Sequence, residues 1–231
     1  QIFEDDLFNE IPILKSLKNK AYQQLGTSGG GNHFVEFGIV KLDKVKPEWN
    51  LIPGEYLAVL SHSGSRGLGA NIAKHYTYLA TKQCPLPKQV QHLAWLDLDT
   101  HDGQEYWAAM NLAGDYAKAC HDDIHRRIAK ALGKRIVFNI ENHHNFAWKE
   151  MVEGTERIVH RKGATPAGEG VLGIIPGSMT ANGYIVEGLG NELSINSASH
   201  GAGRKMSRAK CKSTITKSFM NAQLKDAGIE L

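Results

Sequence analysis

The stretch between Asp102 and Gly133 constrains the fold most, because apolar residues return along it at helical spacing. Tyr106, Met110, Ala113, Ala117, Cys120, Ile124 and Ile128 fall on one face of a 3.6-residue repeat. Asp102-Gly103-Gln104-Glu105 reads as a capping box at its start, and Gly133 as its stop. A helix that long with one apolar stripe needs other elements to cover it. A second helix is expected after Gly69, through Ile72, Tyr76 and Leu79. Strand-like runs are Phe34–Val40, Tyr56–Leu60, Ile136–Ile140, Arg157–His160, Val171–Ile175 and Tyr184–Val186. The expectation is an α+β chain, a mixed α/β single domain without internal repeats or linkers, whose strand order the pattern leaves open.

At 231 residues the chain suits one large domain, or part of a larger one. It is 42% hydrophobic and 22% charged, as ordinary globular domains are. No apolar run of about 18 residues exists, so no membrane-spanning helix is expected. The opening Gln1-Ile2-Phe3-Glu4-Asp5-Asp6 lacks the basic-then-apolar build of a signal peptide. Cys84, Cys120 and Cys211 are dispersed and odd in number, which argues for a reducing, cytoplasmic setting.

Glycine and histidine stand out, with 24 and 11 copies. Glycine lets backbone approach a ligand, and histidine supplies metal ligands, proton carriers or nucleophiles. The net charge of +3 is unevenly spread. From Leu193 to Lys225 there is no acid, whereas Arg204, Lys205, Arg208, Lys210, Lys212, Lys217 and Lys225 are basic. Such a run is usually a solvated face, and a polyanionic partner is the sharper alternative.

The polar motifs cluster at strand ends, where a rigid sheet positions side chains and a loop admits ligand. Gly29-Gly30-Gly31-Asn32-His33 precedes one strand; its amides suit an anion, although it is no Walker loop. His62-Ser63-Gly64-Ser65-Arg66-Gly67 follows another, a metal-type ligand beside a phosphate-type guanidinium. Alone it could be a strand-to-helix turn with a solvent-facing Arg66. Asn142-His143-His144-Asn145 sets two histidines on opposite faces of a strand, so one is the candidate ligand. His160-Arg161-Lys162 brings adjacent cations, and Pro176-Gly177-Ser178-Met179 a tight turn with a free hydroxyl. Ser199-His200-Gly201-Ala202-Gly203-Arg204 joins an imidazole, flexible backbone and a guanidinium, a grouping suited to phosphoryl chemistry. His75, His92, His101, His121 and His125 lack such settings; the last two are expected on a helix surface and Cys120 in the core.

Together these motifs, in this order from about Gly26 to Arg208, resemble the RtcB RNA-splicing ligases. The resemblance implies an RtcB-like fold with strand-end histidines lining a central cleft. It also implies a GTP- and manganese-dependent RNA ligase, joining 3′-phosphate or 2′,3′-cyclic phosphate ends to 5′-hydroxyl ends. His33, His62 and His144 would be metal ligands, two Mn2+ ions occupying the family's full site. Asn32, His33, Phe34, Val35, Glu36, His144, Asn145, Pro176, Gly177, Ser178, Met179, His200, Gly201, Ala202 and Gly203 would surround the guanine nucleotide. His200 would take the nucleotide as histidine–GMP, pass it to the RNA 3′-phosphate, and the 5′-hydroxyl would then displace GMP. Arg66, Lys162 and Arg204 are physically sensible phosphate or RNA partners.

The family's upstream Asp and Cys ligands and its C-terminal nucleotide-contacting lysine have no counterpart here. The chain is therefore expected to be the central-to-C-terminal part, residues 1–231, of one RtcB-like catalytic domain, and possession of the full reaction is expected of the whole protein. Ala181-Asn182-Gly183-Tyr184 and Pro166 also depart from the family pattern. Two other readings fit the residues: a metal-dependent phosphoesterase, and a non-catalytic RNA-binding fragment anchored by the basic stretch.

Overall fold

The computed structural model describes every residue except Ala202 and Arg204, and the backbone alone of Arg208. The chain divides into two compact units, Gln1–Phe138 and Asn139–Leu231.

The first unit is built around helices. α1 (Leu7–Glu10) and α2 (Pro12–Gln24) open it, followed by β1 (Phe34–Leu42), β2 (Gly54–His62), α3 (Arg66–Gln83) and α4 (His101–Ala131). α2 starts with Pro12, whose fixed φ suits a first helical position, and buries Leu14, Leu17 and Ala21 at helical spacing. α3 buries Leu68, Ile72, Tyr76 and Ala80, strictly four apart, and stops before Pro85. α4 runs 31 residues, about 46 Å at 1.5 Å per residue. These faces, with Phe8 and Ile11, meet in one core that includes Tyr116 and Cys120, both fully buried. Buried hydroxyls there find acceptors: Tyr116 Oη donates to the Ala21 carbonyl at 2.7 Å, and Tyr76 Oη to Glu105 at 2.6 Å.

Three details differ from the sequence expectation. Thr100, not Asp102, caps α4, its hydroxyl accepting from the Gly103 amide at 3.2 Å. A threonine two residues upstream was the stronger cap because its extended backbone aims the side chain at the first turn. α3 begins at Arg66 rather than after Gly69. Ile136–Ile140 forms no strand. Ile136 and Val137 are largely exposed, with no burial to reward extension.

The second unit carries short antiparallel pairs. β3 (Asn145–Val152) pairs with β4 (Thr155–Lys162), β5 (Ala164–Pro166) with β8 (Ser197–Ser199), and β6 (Leu172–Ile175) with β7 (Tyr184–Glu187). α5 (Arg208–Thr214) and α6 (Lys217–Asp226) close the chain. Within the second unit, the Asn142 side chain binds the β6 backbone on both sides, donating to the Leu172 carbonyl and accepting from the Ile174 amide. The architecture is α+β, as expected.

Candidate functional site

In the first unit, β1 and β2 form a hairpin whose register sets Phe34 opposite His62. His33 is thereby delivered to the same strand end, and the His33 and His62 ring centroids lie 6.1 Å apart. Phe34 packs on the His62 ring at 5.4 Å. His33 Nδ1 is buried and has no hydrogen-bond partner among the described residues. An orphaned ring nitrogen beside a second imidazole is the chemistry of a nitrogen-donor cation site.

Two loops are sewn together beside these rings. Ser63 Oγ, almost fully buried, donates to the Ser28 carbonyl at 2.9 Å. Arg66 Nε donates to Thr27 Oγ1 at 3.1 Å, and the Gly67 amide to Gln24 Oε1 at 2.9 Å. Arg66 is half-buried rather than fully solvent-facing, and its guanidinium lies against Gly29. A β-carbon at Gly29 would overlap it, and the +94° φ of Gly29 independently selects glycine. Arg66 itself holds φ at +52°, uncommon for a side-chain-bearing residue and often found where a loop is over-determined by function. Asn32 and Glu36 are exposed and Val35 is half-buried. Partial burial of its carboxyl raises the Glu36 pKa above the ordinary carboxylate value.

A residue unmarked by sequence also serves this strand end. His125, expected on the surface of α4, is half-buried, and its Nε2 shares a 2.9 Å hydrogen bond with Ser61 Oγ, next to His62. His121 is likewise half-buried rather than on the surface. Burial of one helical turn against a strand cannot be read from spacing alone.

In the second unit, Gly163 is the pivot. Its amide donates to the His144 carbonyl at 2.8 Å. Its carbonyl lies 2.7 Å from His200 Nδ1. The His144 and His200 rings stack, 4.8 Å between centroids and 19° between planes. Gly163 joins β4 to β5 at φ +72°, and a β-carbon would press on the His200 ring at 3.4 Å. Because a carbonyl only accepts, a neutral His200 carries its proton on Nδ1 and its lone pair on Nε2. That is the tautomer a nitrogen nucleophile needs.

β5–β8 pairing sets Ala164 opposite Ser199 and so places His200 beside Gly163. His143 packs on Phe146 at 5.5 Å while its neighbour His144 stacks on His200. The pair precedes β3, however, rather than following a strand. Pro176 and Gly201 are neighbours, since a β-carbon on Gly201 would sit 3.9 Å from the Pro176 carbonyl. Ser178 accepts from the Ala181 amide at 3.1 Å through its carbonyl, so the tight turn runs Ser178–Ala181, two residues beyond the expected Pro176–Met179; Met179 is exposed. Asn145 and Lys162 face each other in the β3–β4 ladder, both exposed. Ala202 and Arg204 lie outside the described residues, while Gly203 is exposed with φ +78°.

Arg161 is not the surface cation its neighbours suggested. It is 3% exposed and forks onto Glu150 at 2.6 and 2.7 Å. It also donates to Ser197 Oγ and the Ile195 carbonyl and lies 5.0 Å from the Trp148 ring. Its role is to fasten β4 to the segment that leads into β8 and His200. Among the described residues no three His, Cys, Asp or Glu side chains gather into a metal site, and no helix is long and apolar enough to cross a membrane.

A family model described as tRNA-splicing ligase RtcB matches residues 9–231. The RNA-splicing ligase RtcB of Escherichia coli K12 is 38% identical over 212 residues, covering 85% of this chain and 48% of that relative. The tRNA-splicing ligase RtcB of Nanoarchaeum equitans is 32% identical over 257 residues, covering 97% and 54%. That of Thermococcus kodakarensis is 32% identical over 234 residues, covering 85% and 48%. The chain thus spans about half the length of the curated relatives it matches.

Proposed function

The chain belongs to the RtcB family, and from that premise we propose that residues 1–231 are the central-to-C-terminal part of one RtcB-like catalytic domain, whose whole protein works in the cytoplasm on RNA splicing or repair. The reaction joins a 3′-phosphate or 2′,3′-cyclic phosphate RNA end to a 5′-hydroxyl end, with GTP as co-substrate. The observation that carries this reading is the His200 Nδ1 contact with the Gly163 carbonyl at 2.7 Å, which leaves Nε2 as the lone-pair atom.

His200 Nε2 attacks the α-phosphorus of GTP, forming an N–P bond as pyrophosphate departs. An oxygen of the RNA 3′-phosphate then takes the guanylyl group from His200, restoring the ring and creating a phosphoanhydride. The 5′-hydroxyl oxygen attacks the RNA phosphorus of that anhydride, and GMP leaves. Dividing the reaction this way converts an unreactive phosphate into a good electrophile. Gly163 holds the ring through Nδ1 at each turnover, and stacking on His144 limits its rotation. Asn32, Phe34, Val35, Glu36, Asn145, Pro176, Gly177, Ser178, Met179, Gly201, Ala202 and Gly203 are assigned to the guanine nucleotide. Arg66, Lys162 and Arg204 are assigned to phosphates.

His33, His62 and His144 are assigned as manganese ligands. The orphaned His33 Nδ1 beside His62 fits a share of such a donor set. Manganese would neutralise phosphate charge and orient the displaced groups. Imidazole alone does not select manganese over its neighbours, so geometry and hard co-ligands must.

The test is covalent labelling. Full-length protein incubated with manganese and α-labelled GTP acquires an acid-labile, alkali-stable label, and His200→Ala abolishes it. Label persisting in that variant refutes the nucleophile; release of RNA 3′-phosphate without any label would establish a phosphoesterase instead.

A further inference from the structure

The stretch from Lys205 onward is absorbed by neither the fold's core nor the candidate chemistry. From Lys205 to Leu231 Leu224 is the one buried side chain among those described. Lys205, Lys210, Lys212, Lys217 and Lys225 are all exposed, and no acid occurs between Leu193 and Lys225. Such a density of cations on two short helices is self-repulsive unless an anion neutralises it. The same arm exposes Phe219, 56% accessible, on α6. Cations that follow a backbone, interleaved with an unpacked aromatic that offers a π-face, are how single-stranded nucleic acid is held without sequence preference.

We propose that α5, α6 and the Lys205 approach form an anchoring arm for single-stranded RNA, with the lysines on phosphates and Phe219 stacking on a base. The choice of RNA among polyanions rests on the ligase reading above. The arm holds the strand away from the reacting ends and adds affinity, not chemistry. It takes no part in guanylyl transfer to His200.

The experiment compares three variants of the chain with wild type, using fluorescence anisotropy of a labelled oligouridine RNA between 50 and 200 mM salt. The arm variant is Lys205→Gln, Lys210→Gln, Lys212→Gln and Lys217→Gln. A control removes four exposed lysines elsewhere, Lys44, Lys74, Lys88 and Lys130, each to Gln, and has the same net charge. Each phosphate contact steepens the dependence of log affinity on log salt by about 0.7 for a single strand. Four contacts therefore make wild type lose roughly 50-fold more affinity than the arm variant over that range. The control keeps the wild-type slope. Phe219→Ala weakens binding by about tenfold at unchanged slope, as loss of one stacked base does.

Equal slopes in the arm variant and the control overturn the proposal. So does oligoglutamate competing as tightly as RNA, which would make an acidic protein the partner. His200 labelling with GTP is read on the full-length protein carrying the same substitutions. Labelling retained in the arm variant with an unchanged slope sinks the arm alone. Labelling absent from wild type sinks the His200 assignment and leaves the RNA comparison intact.

Discussion

Replacing Arg161 by methionine should loosen the strands that carry His200 while leaving the first unit untouched. The guanidinium is 3% exposed and makes two charge-assisted bonds to Glu150, one to Ser197 Oγ and one to the Ile195 carbonyl. Methionine fills much of the same volume, so a cavity contributes little. What remains is an unpaired Glu150 carboxylate and a Ser197 Oγ without its donor, while the Ile195 carbonyl still accepts from Ser197 Oγ at 2.8 Å. Removing one partner of a buried pair costs about 3–5 kcal/mol. The Glu150 side chain is 28% accessible, so water can reach it and the cost is discounted to about 2–4 kcal/mol. At about 1.4 kcal/mol per tenfold, local opening becomes roughly 30- to 700-fold more frequent. Hydrogen exchange followed by mass spectrometry reads it directly: amides of Thr155–Lys162 and Ser197–Ser199 should exchange faster by that factor, and those of α2 to α4 should not. Glu150→Gln, which keeps an acceptor for the fork, should give a smaller change. Exchange in β4 and β8 within about threefold of wild type would refute the view that this buried fork holds the His200 segment.

Gly29→Ala should destabilise the first unit by about 1–3 kcal/mol in urea, through its left-handed backbone and overlap with Arg66. Adding Arg66→Ala should return the steric part and leave the backbone part, so a purely additive double variant argues against the overlap. Cys120 is fully buried, and burial pushes its thiol pKa up. In the native protein at pH 8 iodoacetamide should therefore modify the half-buried Cys84 and Cys211 first, with Cys120 reacting only on unfolding. Mass mapping that finds Cys120 alkylated as fast as the others would contradict the packing of α4.

How far the fold was legible follows from where information lies in a chain. α4 was readable because its stripe repeats over 31 residues, and only its cap was misplaced, by two positions. β1, β2 and β4 were readable from β-branched and aromatic runs, each a residue or two short at its ends. α2 is harder to see: its stripe of Leu14, Leu17 and Ala21 is only three residues long and is separated by polar residues, with Pro12 the one sharp mark of its start. β3 hid behind Trp148, Lys149 and Glu150, whose strand character comes from what they touch. Ile136–Ile140 looked like a strand, but an apolar run becomes one only when another edge pairs with it.

The candidate site divides along the same line. Residue types carrying chemistry announced themselves: His33, His62, His144 and His200 each stand at a strand end. What sets their geometry did not. Gly163 carries no side chain to mark it, yet it offers its amide to His144 and its carbonyl to His200. Arg161 reads only as one of two adjacent cations, and its burial against Glu150 makes it the fastener of that arrangement. A backbone carbonyl has no letter of its own in a sequence, and the same arginine spells a ligand or a brace. His200 as a letter permits a nucleophile; the Gly163 carbonyl, by fixing which nitrogen bears the proton, selects Nε2 as the atom that would act.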